Sequence, residues 1–155
     1  MKLSKNFTLI ELVKSEVALR LGLDNTPSEA VIANLQILAE KVLQPVREHF
    51  ATGVRVSSGY RSPEVNAAIK GSANSDHCRG MAADIEIPGL SNYELAAWIK
   101  DNLNFTQVIL EFYTEGEPNS GWVHVSYNPK DLKREALTAI NGADKKTVYL
   151  PGLRP

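Results

Sequence analysis

Gly121-Trp122-Val123-His124-Val125-Ser126-Tyr127 alternates along its length. In an extended strand successive side chains point to opposite faces, so Trp122, His124 and Ser126 share one face and Val123, Val125 and Tyr127 the other. Upstream, Thr106 to Phe112 reads as a second strand, joined to the first by a loop rich in Gly, Glu, Pro and Asn. Further back, Gly80 to Ile87 reads as a strand ended by Pro88-Gly89, and Val54 to Ser57 as a short strand ending at Gly59. Downstream, Asn128-Pro129 can cap another short helix, and Thr147 to Leu150 reads as an edge strand.

The chain before Phe50 has a different texture. Thr8-Leu9-Ile10-Glu11 is a capping box, with Phe7 and Leu12 placed as a hydrophobic staple, and predicts a helix running to Leu21 before Gly22. Thr26-Pro27-Ser28-Glu29 reads as a second capping box. After it Val31, Ile32, Leu35, Leu38, Ala39, Val42, Leu43 and Val46 recur at helical spacing, a core stripe with a bend expected at Pro45. Ser62-Pro63 opens a short helix to Ile69, Gly71 to Arg79 reads as a polar loop, and Ser91-Asn92-Tyr93-Glu94 caps a helix to Leu103. Helices first and short strands later predict an α+β fold, with N-terminal helices packed on a small, mainly antiparallel sheet.

Composition sets outer bounds. At 155 residues, 43% apolar and 23% charged, the chain reads as one folded domain over 1–155. Seventeen Lys+Arg against eighteen Asp+Glu leave a net charge of −1, which removes the main argument for nucleic-acid binding. The single cysteine excludes an internal disulfide. No stretch approaches the roughly 18 apolar residues of a membrane span, so no membrane insertion is expected. Glu11 and Lys14 interrupt the N-terminal segment, which is therefore not read as a Sec signal. Synthesis in the cytoplasm, with another route out, is the expectation.

The chemistry concentrates in Ser75-Asp76-His77-Cys78-Arg79-Gly80-Met81-Ala82-Ala83-Asp84. If the Asp84 and His124 strands share a sheet, both side chains can meet on one face, with His77 closing the triangle from its loop. Two imidazoles and a carboxylate suit a catalytic zinc, whose ligands at about 2.0–2.2 Å leave a fourth position for water. Zinc lowers the pKa of that water to about 7 and polarises a scissile carbonyl. Iron(II) takes the same ligand set, and the residues alone leave the choice open.

The spacing Ser75-x-His77-x-x-Gly80-x-Ala82-x-Asp84 resembles the SxHxxGxAxD signature of the zinc D-Ala-D-Ala carboxypeptidases and related peptidoglycan endopeptidases, which share a fold with the Hedgehog signalling domain. Phe7-Thr8-Leu9-x-Glu11-Leu12, Leu43-Gln44-Pro45-Val46-Arg47, Ser58-Gly59-Tyr60-Arg61-Ser62 and Trp122-Val123-His124-Val125-Ser126 are similar to its short, often phage-encoded branch. The resemblance spans about residues 7–130. It implies a Hedgehog/DD-peptidase-like fold and zinc held by His77, Asp84 and His124. It also implies a monomer cleaving an amide next to a D-amino acid in bacterial peptidoglycan peptides. Arg61 would face substrate and the developing oxyanion, as an always-charged fork can. Ser75 either bonds the substrate or holds the loop before His77, and Trp122 forms a cleft wall.

One departure matters. The best-known relatives carry an acid three positions before the second histidine, where this chain has Gly121. The expected general base is Glu111, which ends the apolar run Val108-Ile109-Leu110; partial desolvation there would raise its pKa. Glu115 and Glu117, in a loop that could act as a lid, rank below it. His49 reads as a helix-end cation, Cys78 as a half-exposed thiol, and Glu86 as a further candidate for the cleft. Two rivals stand beside the enzyme: a catalytically inactive, zinc-stapled cell-wall-binding or virion module, which Gly121 favours, and a Cys78/His77 thiol hydrolase. Action on the cell wall follows either release, as for a phage endolysin, or carriage in a virion.

Overall fold

The computed structural model describes all 155 residues. Six strands form one sheet in the order β1-β2-β4-β3-β5-β6: β1 (Arg55–Ser58), β2 (Ala82–Glu86), β3 (Gln107–Glu111), β4 (Trp122–Ser126), β5 (Glu135–Asn141) and β6 (Thr147–Pro151). Every neighbouring pair is antiparallel except β3 and β5, which run parallel. The expected α+β architecture is the observed one, with most of the helices before β1, α5 (Pro63–Ala68) between β1 and β2, and α6 (Asn92–Asn102) between β2 and β3.

Parity decides what each strand residue does. Ala83, Ile85, Val108, Leu110, Val123 and Val125 are all fully buried and belong to one apolar cluster. Helical residues complete that cluster: Leu35, Leu38, Val42, Leu43 and Val46, with Leu95 and Ile99 of α6, none of them exposed. Burying each such side chain contributes about 1.5–3 kcal/mol, so the stripe read at helical spacing is core. The alternate residues, among them Asp84, Glu111, Trp122 and His124, occupy the other face.

The N-terminal helix departs from expectation. Thr8 and Glu11 form the reciprocal capping box, and Phe7 and Leu12 are buried as the staple requires. The helix nevertheless stops after α1 (Leu9–Val13), because Lys14 turns extended and Ser15 starts a new helix, α2 (Glu16–Leu21), by accepting from the Ala18 N–H. A serine that bonds its own backbone competes with helix continuation. Likewise the second expected helix, observed as α3 (Glu29–Leu38), is capped by Ser28 rather than Thr26. Residues Ala39–Leu43 form a π-helical turn leading into α4 (Gln44–Phe50). Pro45 lacks an N–H and its ring would press on the carbonyl four residues back, and the wider turn absorbs that conflict.

The segment after Asn128 is the largest correction. No helix forms there. Asn128 closes a tight turn, its side chain accepting from the Lys130 N–H at 3.0 Å, and the chain then enters β5, which the sequence does not announce. Glu-Ala-Leu-Thr-Ala-Ile-Asn has neither a strong β composition nor clean alternation. Its place beside β3 comes from pairing, with Glu111 opposite Ala139. No helix is long and apolar enough to cross a membrane.

Candidate metal centre

The centre is assembled by strand register. Asp84 on β2 lies directly opposite His124 on β4, so the two side chains share the face away from the core. His77 arrives from a 3-10 turn, Asp76–Arg79, whose first hydrogen bond is made by Ser75 Oγ accepting from the His77 N–H at 3.2 Å. Ser75 thus holds the loop before His77 and also lines the cleft.

Three ligand atoms converge. His77 Nε2 lies 3.2 Å from His124 Nδ1 and 3.3 Å from Asp84 Oδ1, and His124 Nδ1 lies 3.1 Å from the same oxygen. All three residues are largely buried. His77 Nδ1 donates to the Gly59 carbonyl at 2.8 Å, which fixes the tautomer and turns a bare Nε2 lone pair toward the carboxylate. Lone pairs facing one another at this range require a positive charge between them, either a proton or a metal cation. Atoms about 2.0–2.2 Å from a tetrahedral zinc lie roughly 3.3–3.6 Å apart, close to the observed triangle, so the set fits a divalent ion. The carbonyl behind His77 is the kind of outer partner that orients ligating imidazoles.

The electrostatics agree. Burial would raise the Asp84 pKa, but the close contacts with the His124 and His77 rings outweigh it and hold the carboxyl well below the usual range. Burial would lower the His124 pKa, yet the bond and charge of Asp84, then the charge of Glu111, push it up.

Glu111 stands on the same face. It lies opposite Trp122 across β3 and β4, and Trp122 Nε1 donates to its Oε2 at 2.5 Å. Burial, followed by the Asp84 charge, raises the Glu111 pKa against the lowering effects of His124, Trp122 and Arg61. The departure at Gly121 has a steric reason. Its φ is +64°, and a Cβ there would sit 1.9 Å from the Glu111 carbonyl oxygen, so no acid fits at that position.

A cleft of about 520 Å³ contains these groups, with Arg61 on one side. The Arg61 Nη1 donates to Ser58 Oγ at 3.4 Å, and its buried Nε has no partner. Trp122 lines the cleft as expected and packs on Phe112, ring centroids 5.4 Å apart.

Other candidates lie elsewhere. Glu115 and Glu117 are exposed and outside the cleft. Their loop is pinned rather than lid-like: the Asn92 N–H donates to the Pro118 carbonyl, and Asn92 Nδ2 donates to the carbonyls of Ser120 and Gly121. Glu86 pairs with Arg55 at 3.3 Å. His49 stacks on Trp98 at 4.4 Å. Cys78 rides the 3-10 turn, and burial raises its thiol pKa, which suppresses the nucleophilic thiolate. Two contributors lie outside the sequence expectation: the Gly59 carbonyl, invisible because it is backbone, and Tyr149 of β6, whose place depends on the unannounced β5.

Comparison with known proteins agrees with this geometry. No curated protein matches the chain. The family model described as Peptidase M15 matches residues 5–126, a span holding His77, Asp84, Glu111 and His124. Members are generally zinc-dependent metallopeptidases, and a His-Asp-His cluster able to take a metal is what this cleft presents. With four-fifths of its length inside that match, the chain belongs to the peptidase M15 family.

Proposed function

We propose that the chain is a zinc-dependent peptidase that hydrolyses an amide next to a D-amino acid in bacterial peptidoglycan peptides. The observation that carries this reading is the closed triangle of Nε2, Nδ1 and Oδ1, at 3.1–3.3 Å, sharing one cleft with a carboxylate of raised pKa. His77, Asp84 and His124 would hold the ion, which supplies Lewis-acid polarisation of the carbonyl and acidification of water.

The remaining steps belong to the chain. Glu111 takes a proton from the attacking water as the new C–O bond forms. It returns that proton to the leaving nitrogen as the C–N bond breaks, so the water is divided between the two products. The Trp122 donor fixes one carboxylate oxygen and leaves the other to move the proton. Arg61 has N–H groups free to meet the developing oxyanion or a substrate carboxylate. The Ser75 hydroxyl hydrogen, not used in its contact to His77, can donate to the peptide. The protein acts as a monomer on the cell wall, after release or as part of a virion.

Digestion of purified peptidoglycan, followed by mass spectrometry of the fragments, tests this. The expected products are peptides cut beside a D-residue. Turnover should disappear with a chelator, return with zinc and survive thiol alkylation. Glu111→Gln should keep its zinc and lower kcat on the order of 10²–10⁴-fold. Full activity in that variant would move the base elsewhere, and no turnover from zinc-loaded protein would favour a binding module.

A further inference from the structure

We propose that Tyr149, on the final strand, contacts the substrate: it forms the wall of the cleft opposite Arg61 and hydrogen-bonds the bound peptide through its hydroxyl. The inference rests on the peptidase reading above. Strand register carries it. Trp122 lies opposite Glu111, Glu111 beside Ala139, and Ala139 opposite Tyr149, so four residues form one row across β4, β3, β5 and β6. Paired neighbours in a sheet share a face, which puts Tyr149 on the face of the metal centre.

Neighbouring strands are about 4.8 Å apart, and a tyrosine side chain is long enough to lie across one strand. The residue between is only an alanine, and it is fully buried. Tyr149 itself is 52% exposed and lines the same cleft as Arg61, Glu111 and His124. An aromatic ring half in water beside a reactive carboxylate is poorly explained as core filling. Burial, then the charge of Glu111, raises its hydroxyl pKa, which keeps the phenol a donor.

The chemistry selects a peptide. The hydroxyl can donate to a backbone carbonyl while the ring packs on a small apolar side chain such as the methyl of D-alanine. The residue also lies beyond positions 5–126 of the family match, so this wall comes from the chain's own C-terminal hairpin.

The test uses zinc-loaded full-length protein and a muropeptide mixture from bacterial sacculi, cross-linked species included. Wild type, Tyr149→Ala and Tyr149→Phe are compared by chromatography of the cleaved species. Binding of the same mixture is measured in a Glu111→Gln background. Tyr149→Ala should raise KM by about tenfold, more than it lowers kcat, and weaken binding in parallel. Tyr149→Phe, which keeps the ring, should show a smaller rise. Unchanged KM and binding in both variants, with wild-type turnover intact, would overturn the role of Tyr149 alone. Loss of zinc or of thermal stability without a change in KM would also overturn it, as the mark of a structural residue. Absence of turnover and binding in the wild type would instead remove the peptidase reading and this inference together.

Discussion

The two faces of the central sheet are made from the same strands and have little chemistry in common. On one, Val108, Leu110, Val123 and Val125 are sealed beneath the helices. On the other, one residue away in each case, stand Glu111, Trp122 and His124. Fold and reactivity are separated by parity rather than by region. A substitution at one position should therefore disturb stability, and at the next, chemistry.

The largest effect should come from the polar face. His124→Ala removes one of the three converging atoms; the protein should fold, but metal content should fall from about one ion per chain to near zero, with activity lost. Elemental analysis checks this, and unchanged zinc would defeat the ligand set. Leu110→Ala, next to Glu111 in sequence but on the buried face, should cost about 2–5 kcal/mol in a denaturant melt while zinc stoichiometry stays that of the wild type. If that variant lost metal without losing stability, the separation of the faces would be wrong. The smallest effect is electrostatic. In the metal-free protein Glu111 should titrate above an ordinary carboxyl, because burial and the Asp84 charge favour its protonated form. Trp122 donates to the ionised form, so Trp122→Phe should move the titration to still higher pH. An NMR titration of the Glu111 carboxyl reads the direction, and a downward move would refute the clamp.

This separation also explains how far the sequence could be read. A period of two is visible in Trp122–Ser126, and one register assumption, Asp84 beside His124, was enough to bring the triad together. The long helical stripe was equally legible, since its spacing survives the π turn at Ala39–Leu43. Interruptions made by single side chains were not: Ser15 restarts a helix that periodicity alone would continue. Least visible was β5. Nothing local in Glu135–Asn141 favours a parallel partner, and its position is a property of β3 rather than of its own residues. The far wall of the cleft was hidden with it. Gly121 shows the opposite case, a departure that was plain in the sequence but whose cause, the Glu111 carbonyl 1.9 Å from any added Cβ, exists only in three dimensions.

The turn at Gly59-Tyr60-Arg61 carries a consequence for the opening residues. The Gly59 carbonyl receives the His77 imidazole, the Arg61 N–H returns a bond to the His77 carbonyl, and between them the Tyr60 N–H reaches the Leu12 carbonyl at the end of α1. A Cβ on Gly59 would lie 2.3 Å from that same Leu12 oxygen. The amino-terminal segment thus works as a splint, bracing from behind the ring whose aim decides where a cation can settle. Trimming a dozen leading residues, distant in sequence from any reactive atom, would remove this brace together with the buried Leu3, Phe7 and Leu12, so the aim of the ring and the core would fail together.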